Sequence, residues 1–312
     1  MKRFLLRAAQ VLLTVAVTIF LFRALQVSWK DLAALDPSRW VPRGGGLPLA
    51  ASMVLVLAVY LYLVGLWAAM AEQLGAGHLP FTAAVRVFFV ANLGKYIPGK
   101  VWQVAGLGYL AGREGLVAGR ALFAALLNQA FSLCAGVTVG SLYLAFGTTV
   151  PRGAWLVALG SVVAILSLLG SRRVHSRVVT VLARRAMVDP GWTIPSPRRF
   201  ALGWFGLHIV AWVGYGLAFC LLWAAFRPLP RGIEVLMAAS AFPTAYVLGF
   251  LAFFAPAGVG VREGALVALT APLLGRADAT ALAVIARVWL TVLELVPLAW
   301  VAIAPSTRRH HG

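Results

Sequence analysis

Two short stretches of this chain set helix-breaking residues beside fixed charges. The first is Asn92-Leu93-Gly94-Lys95-Tyr96-Ile97-Pro98-Gly99-Lys100-Val101-Trp102-Gln103. A helix broken at Pro98-Gly99 frees backbone N–H groups and exposes the positive end of a half-helix dipole, both suited to a phosphate. Lys95 and Lys100 add full charges on either side of the break. The structural alternative is a pair of lysines that snorkel to the membrane interface, with Tyr96 and Trp102 as belt aromatics. The second stretch is Phe254-Ala255-Pro256-Ala257-Gly258-Val259-Gly260-Val261-Arg262-Glu263-Gly264. Its glycines let backbone approach a headgroup, Arg262 can hold a phosphate through two parallel hydrogen bonds, and Glu263 can balance the charge or meet an amine. The alternative there is a capped loop with an internal ion pair. The glycine run has no βαβ pattern around it, so dinucleotide binding is set aside.

Arg287 and Glu294 interrupt the last apolar segment and stand seven residues apart, on roughly one helix face. A charge at mid-membrane costs on the order of 3 kcal/mol, so it faces a partner or a wet cavity. Glu72, Glu114 and Glu234 lie near segment ends, where solvation explains them. His208 is a lone span histidine, and His78 and His175 have no companions at metal-ligand spacing, so neither a metal nor another cofactor is expected. Cys134 and Cys220 lie inside apolar segments and read as packing residues. No Ser/His/Asp or Cys/His nucleophile arrangement occurs, so catalysis is not expected.

The elements that must position these residues are membrane helices. The chain is 62% hydrophobic and 12% charged, with a mean hydropathy of +0.90, which excludes an ordinary soluble domain. Segments 47–71, 121–151, 153–171, 200–226 and 235–261 each reach the roughly 18 residues that span hydrocarbon. Segment 8–22 is shorter and follows Lys2, Arg3 and Arg7; it is expected to remain as a first anchor. The 27 basic residues against 9 acidic ones would suggest nucleic acid in a soluble protein. Here they fit the positive-inside rule and anionic headgroups, and no nucleic acid is expected.

The largest polar stretch, 172–199, holds Arg172, Arg173, Arg177, Arg184, Arg185, Arg198 and Arg199 against Asp189, and is expected in the cytoplasm. Within it, Val174, Val178, Val181 and Leu182 recur at helical spacing, as in a short amphipathic surface helix. Counting crossings from that anchor makes segment 72–120 start and finish inside, and segment 235–275 start and finish outside. Both contain breakers, so both are expected to be re-entrant or broken-helix hairpins. Both termini then lie in the cytoplasm. The expected fold is an all-α polytopic integral membrane protein of about six transmembrane helices plus two hairpins. It forms one membrane domain over residues 1–312, with halves 1–151 and 153–305 in an inverted-topology repeat.

At the two broken segments the chain resembles the transmembrane region of the lysylphosphatidylglycerol synthases. The matching residues are Gly94, Lys95, Tyr96, Pro98, Gly99, Lys100, Val101, Trp102, Arg113 and Gly115, then Pro256, Gly258, Gly260, Arg262 and Glu263, and finally Arg287. Ala257 stands where the family pattern would place glycine. Characterised members act as lipid flippases, which implies movement of an aminoacylated or otherwise anionic lipid between leaflets of the cell membrane. The synthases' soluble aminoacyl-transfer domain has no counterpart here, so lipid lysinylation by this chain alone is not expected.

The expected function is therefore transport, with membrane lipids as partners and an anionic headgroup, on a phospholipid or a polyprenyl phosphate, bound by Lys95, Lys100, Arg113 and Arg262. Tyr96, Pro98, Gly99, Trp102, Pro256, Gly258, Gly260, Glu263, Arg287 and Glu294 complete the expected binding set. A second possibility is a membrane-embedded enzyme on lipid-linked substrates, with Glu263 or Glu294 as acid/base. A third is a non-catalytic partner of a separately encoded transferase.

Overall fold

The computed structural model describes residues 40–42, 46–97, 101–146, 153–171, 177, 180–181, 197–252 and 255–303. The first apolar segment at 8–22, most of the amphipathic surface helix, Pro98, Gly99, Lys100 and both termini lie outside the described residues.

A chain with so few charges must satisfy its backbone groups internally, and helices do this segment by segment. Among the described residues every regular element is helical: α1 (Leu47–Gln73), α2 (Phe81–Asn92), α3 (Trp102–Arg113), α4 (Ala118–Phe146), α5 (Ala154–Gly170), α6 (Pro197–Phe226), α7 (Glu234–Leu251), α8 (Val261–Leu274) and α9 (Arg276–Ile303). Short 3₁₀ turns at Leu93–Tyr96 and Pro256–Gly258 interrupt the run at the two broken segments. Six helices are long and apolar enough to cross a bilayer. The number agrees with expectation, but the membership differs. It includes α7 and the stretch Pro256–Leu274, whereas α5 covers a shorter apolar stretch.

α4 lies at the centre of the bundle and packs on α1, α3, α5, α6 and α7. α1 and α6 run antiparallel, because the Trp204 Nε1–H donates to Gln73 Oε1 at 2.9 Å while the Ser52 hydroxyl donates to the Ala218 carbonyl at 2.9 Å. α4 and α6 run parallel, with His208 Nε2 3.1 Å from Asn128 Oδ1 and the Trp212 indole donating to the Ser132 carbonyl at 2.7 Å. Aromatic rings fill the space between α6, α7 and α9: Phe242 stacks on Phe219 at 5.6 Å and meets Trp289 edge-on at 6.1 Å.

The two broken segments open at opposite ends of this bundle. Segment 74–117 leaves and returns beside Gln73: the Val117 N–H donates to the Ala76 carbonyl at 2.8 Å, and Arg120 Nη1 donates to the Gly75 carbonyl at 3.0 Å. Segment 227–278 leaves and returns at the far end of α6, where Arg227 grips Asp278 through Nε and Nη2 at 2.8 and 2.9 Å. The Arg227 guanidinium also lies 4.4 Å over the Trp40 ring. α2 and α3 have 12 residues each, about 18 Å, too short to cross about 30 Å of hydrocarbon. α7 and α8 are longer, yet they pack side by side and return the chain to the end from which it came.

Candidate functional site

Each break has a local cause. Ile97, at φ −87° and ψ 131°, is extended, as a residue before proline must be, so the turn after α2 cannot continue as helix. Gly94 lets that turn press onto the start of α3: a Cβ there would lie 2.6 Å from the Gln103 nitrogen and 2.7 Å from the Trp102 carbonyl carbon. Gln103 Nε2 then donates to Asn92 Oδ1 at 2.9 Å and ties α3 to α2. At the second break Ala257 has φ +49°, the one non-glycine residue with positive φ among the described residues. Gly258 (φ +70°) lies so close to α7 that a Cβ would sit 2.9 Å from the Gly249 carbonyl oxygen. α8 then starts with its own acceptor: Gly260 N–H donates to Glu263 Oε2 at 2.7 Å.

The two turns touch. Between them is an open cavity with Lys95, Tyr96, Gln103, Arg262, Arg287 and Glu294 in its walls. Tyr246, Gly249 and Phe250 of α7 and Gly258 of the second turn close its other side.

Glu294 is the hub on one wall. Its Oε1 accepts from the Lys95 ammonium and, at 3.0 Å, from the Tyr60 hydroxyl; its Oε2 accepts from the Tyr96 hydroxyl at 3.2 Å. Both ends of the Lys95–Glu294 pair are mostly buried, at 19% and 13% exposure. Glu263 is the hub on the other wall. Arg287 Nη1 approaches its Oε1 at 3.4 Å and the Ala257 carbonyl at 3.3 Å, while Arg262 Nε lies 3.7 Å from the same Oε1. The Arg262 guanidinium sits 6.0 Å from each of the Phe242 and Tyr246 rings. Among the described residues, three cations and two carboxylates thus meet in and behind one pocket, leaving one positive charge over. A buried charge cluster of this kind is costly unless its members satisfy one another or a ligand completes them.

Of the residues expected from sequence, the structure brings Lys95, Tyr96, Gly258, Arg262, Arg287 and Glu294 to the cavity. Glu263 braces the two arginines from behind, and Pro256 and Gly260 shape the turn without lining it. Arg113 does not join them. It is exposed in the last turn of α3, and a 12-residue helix carries it about 16 Å from Trp102, to the foot of the hairpin. Trp102 is 52% exposed and also lies off the cavity wall. Pro98, Gly99 and Lys100 fall outside the described residues. Tyr60, Gln103, Tyr246 and Thr291 join the site without having been singled out as binding residues. The signal for the tyrosines was a hydroxyl in the middle of an apolar span, where it needs a partner. Among the described residues no three His, Cys, Asp or Glu side chains are grouped to hold a metal ion.

The family model described as Lysylphosphatidylglycerol synthase TM region matches residues 7–297, nearly the whole chain. The chain belongs to that family. It is a multi-pass membrane protein of the lysylphosphatidylglycerol synthase TM region, and its two broken segments and Arg287 all lie within the match. No curated protein and no solved structure matches it.

Proposed function

We propose that this chain is a transporter that moves a lipid with an anionic phosphate headgroup between membrane leaflets. The observation that carries the proposal is the convergence of Lys95, Arg262 and Arg287 on one cavity built from both hairpin segments and α9. Arginine side chains match phosphate oxygens in pairs, and lysine adds a compact charge. The aromatic and aliphatic residues beside them, Tyr246, Phe250 and Leu290, suit the glycerol or first methylene groups behind a headgroup. A phospholipid, an aminoacylated phospholipid or a polyprenyl phosphate would satisfy this chemistry, its tails remaining in the bilayer.

Transport fits the site better than catalysis does. Glu263 is committed to the Gly260 amide and two arginines, which leaves Glu294 as the carboxylate on the cavity wall. The two segments that open at opposite ends act, in this proposal, as re-entrant arms of an inverted-topology repeat, and rocking one half against the other exposes the cavity to each side in turn. The Arg-rich stretch 172–199 follows α5 at the Gln73 end, so that end is assigned to the cytoplasm of the cell membrane, with both termini.

Purification in mild detergent followed by lipid mass spectrometry tests the binding step. Anionic phospholipid or polyprenyl phosphate is expected to co-purify with the wild type. In Arg262→Ala its occupancy is expected to fall about tenfold, the loss of one charge-assisted hydrogen bond. Equal lipid content in the two proteins would count against the site.

A further inference from the structure

Glu294 faces the same cavity as the cations that would hold the headgroup, and it is placed unlike Glu263. Glu263 stands in the first turn of α8, where one oxygen accepts the Gly260 N–H. Glu294 stands inside the 28-residue α9, where the Lys95 ammonium and the hydroxyls of Tyr60 and Tyr96 donate to it. A phenol hydroxyl can donate to a carboxylate or accept from a carboxylic acid by rotating, so both tyrosines can serve Glu294 with or without a proton. Among these three partners, the Lys95 ammonium favours the charged form. The other ionisable groups that act on Glu294 are Arg262 from α8, Arg287 from its own helix, Tyr215 from α6 and Tyr246 from α7. The two arginines are also the groups an anion would engage, and it would share the cavity with the Glu294 carboxylate.

Resting on the transport reading above, we propose that Glu294 is a proton-binding site coupled to anion loading. A proton and a phosphate headgroup enter the cavity together, and the proton releases Lys95 from Glu294 to the phosphate. The step balances without any other reactant. A proton from water adds to Glu294 Oε1 or Oε2, the Lys95–Glu294 ion pair opens, and the ammonium keeps its three hydrogens and turns to a phosphate oxygen. Among the described residues the cavity sets Lys95, Arg262 and Arg287 against Glu263 and Glu294, a net charge of plus one. Adding a phosphate monoanion and a proton leaves that charge unchanged. Loading is therefore electroneutral, so a pH difference drives the cargo and membrane voltage does not. Binding linkage is reciprocal: whatever the anion does to proton affinity, the proton does to anion affinity.

The test uses the purified full chain in detergent and calorimetric titration with dioctanoylphosphatidylglycerol, and separately with inorganic phosphate, in buffers of different ionisation enthalpy. The wild type is expected to take up about one proton per lipid bound, with affinity falling by up to about tenfold per pH unit as pH rises. Glu294→Gln keeps hydrogen-bonding capacity at that position and cannot ionise. It is expected to bind the lipid in alkaline buffer as tightly as the wild type does in acid, with no proton uptake. Lipid binding by the wild type with no proton uptake at any pH would overturn the coupling and leave the anion site standing. Proton uptake that persists in Glu294→Gln would overturn the assignment to this residue. No binding of either probe at any pH would remove the transport reading and the coupling together. Binding of inorganic phosphate with proton uptake that Glu294→Gln abolishes, without lipid binding, would keep the proton site and overturn a lipid as its cargo. The wild-type proton count decides the coupling even if the variant does not fold.

Discussion

Lys95 and Glu294 come from segments 199 residues apart and meet on one carboxylate oxygen. Breaking one partner of a mostly buried ion pair leaves an uncompensated charge, which costs about 3 kcal/mol, whereas replacing both costs far less. Lys95→Met is therefore expected to lower the thermal unfolding midpoint of the purified protein, and Lys95→Met with Glu294→Gln to recover most of the loss. Additive losses would show that the pair does not couple. At this scale the sequence was informative wherever a charge interrupted an apolar run, as with Arg262, Arg287 and Glu294. It was uninformative where the chemistry was shared with ordinary membrane residues. Tyr60 and Tyr246 have the composition of belt or core aromatics, and only tertiary packing shows Tyr60 donating to Glu294 and Tyr246 beneath the Arg262 guanidinium. Arg113 shows the opposite failure: the family resemblance brought it into the expected binding set, and a 12-residue helix carries it away from the cavity.

Among the elements, the second break depends on an unusual conformation. Ala257 at φ +49° holds a carbonyl toward Arg287, and its Cβ makes that backbone unfavourable by about 1–2 kcal/mol relative to glycine. Part of that is offset because glycine loses more entropy on ordering. Ala257→Gly is expected to raise stability by about 1 kcal/mol, read as a higher unfolding midpoint in detergent, with lipid binding retained. A lower midpoint would mean that the alanine methyl packs more than it strains. The sequence marked this turn through Pro256, Gly258 and Gly260, and the family pattern marked Ala257 as the departure from it. Length and hydropathy alone leave segment 235–275 as one interrupted apolar run; the crossing count made it start and finish on one side, and α7 and α8 do return the chain to one end of the bundle.

For the molecule as a whole, counting crossings from one Arg-rich loop placed the two hairpins on opposite faces. Hydrogen bonds at Ala76–Val117 and Arg227–Asp278 close the two segments at opposite ends of the bundle. The count could not show that the breaks meet, since that contact joins residues from the two halves of the chain. Glu114 and Arg276 are both exposed at the feet of the two segments. Single cysteines placed there are expected to react with a membrane-impermeant maleimide from opposite sides, Glu114→Cys from the cytoplasm and Arg276→Cys from outside. Labelling of both from one side would contradict the inverted arrangement.

The central claim is that the charged cavity carries a lipid headgroup across the membrane, and a leaflet-exchange assay measures this directly. Purified protein is reconstituted into liposomes containing fluorescent phosphatidylglycerol, and an impermeant reductant quenches the outer leaflet. The account predicts that vesicles with the wild type lose fluorescence from both leaflets, while vesicles with Arg262→Ala behave as protein-free ones and keep the inner half. Wild-type vesicles indistinguishable from protein-free ones, with either fluorescent phosphatidylglycerol or a fluorescent polyprenyl phosphate, would contradict it.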